Sequence, residues 1–273
     1  MPFAKLKVRS IGLFIEIDDI RIHYESFGEG EPILLLHGWG GQIESWGPVI
    51  PSLAQGRKVY ALDFPGFGSS AQPPKPWDVT DYTAMLIRFM DRIGLEKTDV
   101  MGHSFGGRVT ILLSATAPER VGKVILVDSA GLIPKRTWRY YVKVYSYKAL
   151  KRVATCRPLA ALLKGVGVDA KKIVAKRGGS SDYRALPECM RATFVKVVNQ
   201  DLRPYLKQIK ASALLIWGRN DTDAPVYFGE IMEKEIPDAG LVVLENAGHF
   251  AYLDRFGDFD KIVKNYIHFE KRG

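Results

Sequence analysis

Cysteine is scarce in this chain of 273 residues, and hydrophobic runs of membrane-spanning length are missing. The two cysteines, Cys156 and Cys189, cannot form the disulfide framework that stabilises many small secreted proteins, so we expect both thiols to be reduced. No apolar stretch approaches the roughly 20 residues of a transmembrane helix. The first residues also lack the apolar core of a signal peptide. These absences predict a cytoplasmic protein.

Sequence signals for bound cofactors and nucleic acids are missing as well. The chain carries no metal-ligand cluster, no nucleotide-binding loop and no recognised nucleic-acid motif. Basic and aromatic residues interleave from Arg139 to Lys143, but no motif accompanies them. We therefore expect no cofactor, no metal and no nucleic-acid partner.

Positive charge is concentrated in one segment. The chain carries 39 basic and 30 acidic residues, of which 18 basic and 4 acidic residues lie between positions 131 and 209. The remainder has 21 basic and 26 acidic residues, so the whole excess of +9 comes from this segment. A solvated helical surface explains such a charge. Steering of anionic substrates and weak attachment to an anionic surface are the alternatives.

Outside that segment, apolar runs of strand length alternate with segments of helical periodicity. This alternation predicts an α/β fold with a mostly parallel, twisted sheet flanked by helices. Residues 14–22 are typical of a hairpin with an Asp-Asp turn. Predicted strands cover residues 20–26, 32–36, 58–62, 97–102, 123–128, 213–217 and 241–244. Predicted helices cover residues 45–54, 80–93, 104–117, 226–235 and 255–270.

The segment from Gly102 to Gly106 reads G-x-S-x-G between a predicted strand and a predicted helix. On such a sharp turn, a serine projects its hydroxyl group above the edge of the sheet, and the two glycines allow the turn to close. Ser104 is therefore the candidate nucleophile. The backbone N–H of Phe105, at the start of the helix, is positioned to stabilise an oxyanion.

A serine nucleophile needs an imidazole base, which a carboxylate orients. Two acids, Asp221 and Asp223, follow one predicted strand, and His249 follows the next. Asp128 ends an earlier strand and is a further candidate. The order of serine, acid and histidine favours His249 as the base and is typical of one hydrolase fold.

Five segments together resemble the α/β-hydrolase fold superfamily over nearly the whole chain. They are His37–Gly41, Asp63–Ser70, Gly102–Gly106, Trp217–Asp221 and Gly248-His249. The chain is similar to serine carboxylesterases with a helical cap, and also to carbon–carbon bond hydrolases of aromatic ring-cleavage pathways. The resemblance implies that the acid is Asp221, with Asp223 and Asp128 as alternatives, and that the N–H of Trp39 is the second oxyanion donor.

The resemblance also implies two domains. Residues 1–130 and 210–273 form the core, and residues 131–209 form a helical cap with helices near 136–152, 158–165, 169–177 and 186–199. We expect a stripe of Trp138, Tyr141, Val142 and Tyr145 to pack the cap onto the core, and part of it to line an acyl pocket. His37 is expected to brace its loop. The candidate pocket residues are His37, Gly38, His103, Trp138, Tyr141, Tyr145 and Phe250.

The predicted function is hydrolysis of small to medium carboxylic esters through an acyl-enzyme on Ser104. Cleavage of carbon–carbon bonds in vinylogous diketones is an alternative. Relatives with that activity usually carry a tryptophan shortly after the histidine and often an asparagine before the serine, where this chain has Phe250, Ala251 and His103. A triad-retaining small-molecule receptor is another alternative. The sequence is compatible with a monomer or a homodimer.

Overall fold

The computed structural model describes residues 12–134 and 186–270, together with single positions between 138 and 155. Its contacts divide the chain into two compact units, Met1–Leu132 with Thr193–Gly273, and Ile133–Ala192. The first unit thus includes residues 193–209, which the sequence analysis assigned to the cap. The physical reason is local: Leu202 and Leu206 are buried, and the Leu202 N–H donates to the Gly131 carbonyl at 2.8 Å.

Eight strands form a single sheet in the order β1-β2-β4-β3-β5-β6-β7-β8. The strands β1 and β2 are antiparallel to each other, β2 is antiparallel to β4, and all other neighbours are parallel. This confirms the predicted α/β fold with a mostly parallel sheet. The strands are β1 Leu13–Ile17, β2 Ile20–Phe27, β3 Pro32–Leu36, β4 Lys58–Leu62, β5 Thr98–His103, β6 Val121–Val127, β7 Ala213–Gly218 and β8 Ala239–Leu244.

The central strands are buried because helices cover both faces of a parallel sheet. All six residues of β7 are buried, as are the last four of β3, β5 and β6. The edge hairpin of β1 and β2 turns at Asp18 and Asp19, which adopt φ angles of 48° and 62°. Two consecutive left-handed residues match the twist of a two-residue hairpin, as the Asp-Asp pair predicts.

The described helices mostly follow the predicted bounds. Asp78 caps α2, where its carboxylate accepts from the N–H groups of Thr80 and Asp81 at 2.8 and 3.1 Å. The helices are α1 Val49–Leu53, α2 Val79–Arg92, α3 Phe105–Thr116, α4 Glu188–Asn199, α5 Arg203–Leu206, α6 Tyr227–Glu235, α7 Ala251–Asp254 and α8 Phe256–Tyr266, with 3₁₀ turns at Ile43–Trp46 and Pro118–Arg120.

Two predicted helices are wrong in their extent. The helix predicted over 45–54 is interrupted by Gly47 and Pro48, so that a 3₁₀ turn and the short α1 replace it. The helix predicted over 255–270 begins at Phe256 but already ends at Tyr266. Arg255, which has φ −127° and ψ 45°, separates it from the short α7, which was not predicted. There the Arg255 guanidinium donates to the Glu245 carbonyl at 2.9 Å.

Only isolated positions of the second unit's first predicted helix are described. Every described position between 138 and 155 is helical, but Trp138, Val142 and Tyr145 are 70%, 56% and 64% exposed. Tyr141 lies outside the described residues, and the packing of this stripe onto the core stays a prediction. The helices predicted at 158–165 and 169–177 also lie outside them. Across the described chain, we find no helix with the length and apolar character that crossing a membrane requires.

Candidate active site

Ser104 lies at the turn between β5 and α3. Its backbone has a φ of 50° and a ψ of −107°, a conformation that costs a non-glycine residue free energy and is concentrated at functional sites. The Ser104 N–H donates to the Val127 carbonyl at 3.1 Å, and its carbonyl accepts from Ala130 at 3.1 Å. These bonds to β6 and the loop beyond it hold the strained turn in place.

The glycines on both sides of Ser104 permit close packing. A Cβ atom on Gly106 would overlap the Leu36 carbonyl at the end of β3, and one on Gly102 would overlap the Thr110 hydroxyl. The turn therefore needs the absence of a side chain at both positions. It also lies directly beside the loop that follows β3.

His249 connects Ser104 with Asp221. Its Nε2 lies 3.0 Å from the Ser104 Oγ, and its Nδ1 lies 2.9 Å from the Asp221 Oδ2. A carboxylate can only accept, so Nδ1 carries the proton and Nε2 is left to accept the hydroxyl proton of Ser104. The loops after β5, β7 and β8 thus bring three distant side chains into one hydrogen-bonded row.

Asp221 is fixed by its own loop. Its Oδ1 accepts from the N–H groups of Asp223 and Ala224 at 2.8 and 3.0 Å, while its Oδ2 faces His249. Asp223 is exposed and contributes its backbone N–H to this loop. The structure therefore places Asp221, of the two acids after β7, beside the imidazole.

Asp128 has a different position. It is fully buried, and its two oxygens accept from the N–H groups of Gly218 and Ala251 at 2.7 and 3.0 Å. It thereby connects the end of β7 to the helix that follows His249. Burial raises the pKa of Asp128 to about 7, although both hydrogen bonds oppose this shift.

The His249 imidazole has a raised pKa. Burial acts to lower it, but the hydrogen bond and the charge of Asp221 outweigh burial, with smaller contributions from Asp128 and Asp223. A base with this environment accepts a proton more readily than a buried imidazole without a carboxylate partner.

His103 is close to His249 but has the opposite electrostatic character. It is 3% exposed, and its Nε2 lies 2.7 Å from the backbone carbonyl of His249. Burial and the neighbouring His249 lower its pKa to about 3. His103 is therefore neutral, and it donates from Nε2 to hold the backbone of the candidate base.

His37 orients the loop that follows β3. Its Nδ1 lies 2.7 Å from the Gly38 carbonyl, which also accepts from the Gly41 N–H at 3.0 Å. Its Nε2 accepts from the Phe64 N–H at 3.0 Å. Burial lowers the pKa of His37 to about 4, so it is neutral and donates from Nδ1. This agrees with a bracing role.

This bracing determines the direction of the Trp39 N–H. The carbonyl and N–H of a trans peptide point in opposite directions, so holding the Gly38 carbonyl turns the Trp39 N–H the other way. Phe105 is the first residue of α3, and such an N–H has no acceptor within its helix. The Trp39 and Phe105 rings pack edge to face at 5.5 Å, which keeps the two loops together.

An open cavity of about 190 Å³ lies above this row. Of the predicted pocket residues in the first unit, Gly38, His103 and Phe250 line it, and the buried His37 supports it from below. Trp138 and Tyr145 belong to the second unit, and their role in a pocket stays a prediction, as does that of Tyr141. The cavity is lined by Gly38, Trp39, Gly40, Gly41, Ser45, His103, Ser104, His249, Phe250 and Tyr252.

Sequence reasoning missed Ser45 and Tyr252 as lining residues. The Tyr252 hydroxyl donates to the Ser45 carbonyl at 3.1 Å, across 207 positions of the chain. The available signal was the position of Tyr252 only three residues after His249.

Asp221, Asp223 and His249 are close enough together to bind a metal ion, because their donor atoms lie within 4.8 Å of one another. Asp221 and His249 already use these atoms in the row.

Comparison with known proteins identifies the family. Residues 31–256 match the model of the alpha/beta hydrolase fold family, a span that includes Ser104, Asp221 and His249. The chain therefore belongs to the alpha/beta hydrolase fold family.

Hydrolases of two kinds are among the proteins similar to this chain. A 2-hydroxy-6-oxo-6-phenylhexa-2,4-dienoate hydrolase of Burkholderia cepacia is 27% identical over 92% of this chain and 92% of that protein. A pimeloyl-[acyl-carrier protein] methyl ester esterase of Nitrosospira multiformis is 29% identical over 92% of this chain and 99% of that protein. The structure of a 2-hydroxy-6-oxo-6-phenylhexa-2,4-dienoate hydrolase from Rhodococcus sp. strain RHA1 aligns with a TM-score of 0.70 and 26% identity, over 96% and 99% of the two chains.

Proposed function

We propose that this protein is a serine hydrolase that cleaves small to medium carboxylic esters through an acyl-enzyme on Ser104. The observation that carries the proposal is the position of His249, which bridges the Ser104 hydroxyl and the Asp221 carboxylate at 3.0 and 2.9 Å. Such a row converts a poor nucleophile into a reactive one, because the proton leaves as the new bond forms.

In the first half-reaction, the Ser104 Oγ attacks the ester carbonyl carbon and His249 Nε2 takes the hydroxyl proton. The negative charge that develops on the carbonyl oxygen is stabilised by the N–H groups of Trp39 and Phe105. The imidazolium is stabilised by Asp221. When the tetrahedral intermediate collapses, His249 returns the proton to the departing alkoxide, and the acyl group remains on Ser104.

In the second half-reaction, water replaces the alcohol. His249 removes a proton from the water as its oxygen attacks the acyl carbonyl, and the same two N–H groups stabilise the new oxyanion. Collapse releases the carboxylic acid, and His249 returns the proton to the Ser104 oxygen. Because each step uses the same base, the integrity of one imidazole determines both rates.

The dimensions of the cavity favour a small acyl group. A closed cavity of about 150 Å³ accommodates benzene, so the cavity of about 190 Å³ above Ser104 suits an acyl group of modest size. Its walls combine the Phe250 and Tyr252 rings with the polar Ser45, which is compatible with an ester that has an apolar acyl portion.

Hydrolysis of a carbon–carbon bond is the second candidate. Its support is the similarity to 2-hydroxy-6-oxo-6-phenylhexa-2,4-dienoate hydrolases in both sequence and structure. The site would perform it with the same serine, base and oxyanion donors acting on a ketone.

Hydrolysis of p-nitrophenyl esters from acetate to decanoate tests the proposal, with the wild type compared with Ser104→Ala. We expect turnover by the wild type, an optimum at short chain length, and loss of turnover in Ser104→Ala. The matched control is Ser114→Ala, which removes a buried serine hydroxyl from α3, the helix that follows Ser104. It should retain the wild-type rate.

The second candidate is measured in parallel by the loss of absorbance of 2-hydroxy-6-oxo-6-phenylhexa-2,4-dienoate. Faster cleavage of this compound than of every ester would favour the carbon–carbon reaction. Turnover of neither class would favour a receptor that retains the triad. Equal ester turnover by Ser104→Ala and the wild type would exclude Ser104 as the nucleophile.

A further inference from the structure

One buried carboxylate connects two of the three loops of the candidate active site. The two oxygens of Asp128 accept from the Gly218 N–H at 2.7 Å and the Ala251 N–H at 3.0 Å. Gly218 ends β7, three residues before Asp221. Ala251 begins α7, two residues after His249. The separation between the loop of the acid and the loop of the base therefore depends on a single carboxylate.

The segment that carries Asp128 also holds the third loop. The Val127 carbonyl accepts from the Ser104 N–H at 3.1 Å, and the Ala130 N–H donates to the Ser104 carbonyl at 3.1 Å. The N–H of Asp128 donates to the Ile216 carbonyl in β7 at 2.9 Å. Its backbone has a φ of 44°, which is uncommon for a residue other than glycine. Residues 127–130 thus bond to the turn of the nucleophile, while the Asp128 side chain reaches the other two loops.

The environment of this carboxylate is costly for a purely structural link. Asp128 is fully buried, and none of the ion pairs in the described part of the chain includes it. Burial of a carboxylate without a cation opposes folding, and it raises the pKa of Asp128 to about 7. The charged groups that act on Asp128 are those of Asp221 and His249. A costly buried acid beside a reactive pair indicates a functional role.

We propose that Asp128 is a positioning residue that fixes the distance between Asp221 and His249, and thereby the reactivity of Ser104. Both of its hydrogen bonds end on backbone groups, and neither oxygen bonds to the His249 imidazole. Asp128 therefore acts through the two loops and does not replace the acid. The inference rests on Ser104 as the proposed nucleophile, but it holds for an ester substrate and for a ketone alike.

Asp128→Asn tests the proposal in the full chain with little change in volume. An amide offers one acceptor oxygen, and its NH₂ group opposes the second N–H donor, so one of the two loops is released. Measurements are made above the pKa of about 7, where the wild-type carboxylate is ionised. We expect kcat for p-nitrophenyl acetate to fall about 10- to 100-fold, because a small misplacement of a catalytic group has an effect of this size.

A second assay reports on the nucleophile without ester hydrolysis. Ethyl 4-nitrophenyl methylphosphonate forms a bond between phosphorus and the Ser104 oxygen and releases one p-nitrophenolate, while His249 takes the hydroxyl proton. The second-order rate constant of this reaction should fall by a similar factor in Asp128→Asn. The proton resonance of His249 Nδ1 should also move upfield, because its hydrogen bond to Asp221 becomes longer. A residue that contributed only to stability would leave this resonance unchanged.

Asp99→Asn is the matched control. Asp99 also accepts from a backbone N–H, that of Lys123 at 2.8 Å, and it pairs with Arg57. It lies near the start of β5, at the opposite end of that strand from Ser104. Asp99→Asn should lower the stability but retain the wild-type kcat and the wild-type His249 resonance. Asp128→Ser is a second variant at the test position, and thermal unfolding followed by circular dichroism shows which variants are folded.

Several outcomes would overturn the proposal. One is a wild-type kcat with an unmoved His249 resonance in a folded Asp128 variant, and another is an equal loss of kcat in Asp99→Asn. A loss of about 10⁴-fold, as large as that expected for Asp221→Asn, would make Asp128 the acid instead.

The two assays also separate this proposal from the esterase proposal. Normal phosphonylation of a wild type that cleaves no ester would contradict the esterase proposal alone, and the comparison of phosphonylation rates would still decide the role of Asp128. If Ser104 of the wild type is not phosphonylated, the assignment of the nucleophile is wrong and the role of Asp128 falls with it.

Discussion

Two histidine–aspartate pairs lie on this sheet, and their geometry is nearly the same. In β2, His23 Nδ1 lies 2.8 Å from the Asp63 Oδ2, and at the opposite end of the sheet His249 Nδ1 lies 2.9 Å from the Asp221 Oδ2. In each pair the aspartate is buried and follows a parallel strand. The pairing of an imidazole with a carboxylate therefore does not by itself define a catalytic site.

The difference lies at the second nitrogen of each imidazole. His249 Nε2 faces the Ser104 hydroxyl at 3.0 Å in an open cavity, whereas His23 Nε2 lies 3.9 Å from a carboxylate oxygen of Glu25. Asp63 also accepts from the N–H of Ile43 at 2.8 Å, which connects it to the loop beyond β3. One pair is placed to transfer a proton, and the other holds loops together.

The largest expected effect is a difference in kcat between variants of His249 and His23. His249→Gln should lower kcat for an ester substrate by about 10⁴-fold or more, because the base for both half-reactions is removed. His23→Gln should change kcat less than about threefold. Steady-state kinetics on p-nitrophenyl acetate measure both variants. A similar loss of kcat in both would mean that the His23 pair also supports catalysis.

The same two variants should also differ in the free energy of unfolding, and here His23→Gln should have the larger effect. His23→Gln removes the imidazole donor to the Asp63 Oδ2, which still accepts from the Ser69 N–H at 2.8 Å. The loss of one buried hydrogen bond should cost about 0.5–1.5 kcal/mol. His249 is more exposed at the cavity, so His249→Gln should reduce the free energy of unfolding by less. Urea denaturation followed by circular dichroism gives both values. Greater destabilisation by His249→Gln would contradict this division between catalytic and structural pairs.

Asp221→Asn should lower kcat by about 10⁴-fold, since an amide no longer fixes the tautomer and charge of His249. The pH dependence gives a second measure. His249 must be neutral to accept a proton, so activity is lost as the pH falls through its pKa, which Asp221 raises. In Asp221→Asn, burial remains and the two largest raising interactions, both from Asp221, are removed, so the acid limb of kcat/KM should move to lower pH. An unmoved acid limb would show that another group sets the pKa.

Parts of this site could be predicted from the sequence because their geometry is local. Five consecutive residues around Ser104 specify the strained turn, and apolar runs followed by Asp221 and His249 specify two strand ends on the same edge of the sheet. Likewise, the Asp18-Asp19 pair indicated the turn of the first hairpin. In each case the relevant spacing is a few residues, and the backbone conformation follows from residue type.

Other parts depend on contacts between distant residues. Asp128 accepts from groups 90 and 123 positions away, and His103 contacts a carbonyl 146 positions away. No local pattern specifies such contacts. Helical periodicity has a related limit, because it identifies residues on one face of a helix but not the partner against which that face packs.

Replacing His103 should lower kcat less than replacing His249 or Asp221. Its Nε2 donates to the His249 carbonyl, so His103→Ala should leave the base in place but less well oriented. We expect kcat to fall about 10- to 100-fold, as small misplacements of catalytic groups do. Because His103 is already neutral, with a pKa near 3, the acid limb should stay close to that of the wild type. A large shift of that limb would mean that His103 acts through charge.

Replacing Asp128 should change stability and its dependence on pH. An unfolded aspartate has a pKa of about 4, whereas burial raises that of Asp128 to about 7 in the folded protein. Between these values only the folded protein holds the proton, so the contribution of Asp128 to stability falls as the pH rises through this window. Urea denaturation from about pH 4 to about pH 8 should show this slope, at most about 1.4 kcal/mol per pH unit, for the wild type relative to Asp128→Asn. Parallel curves would mean that Asp128 is ionised in the folded protein and stabilised by the N–H groups from which it accepts.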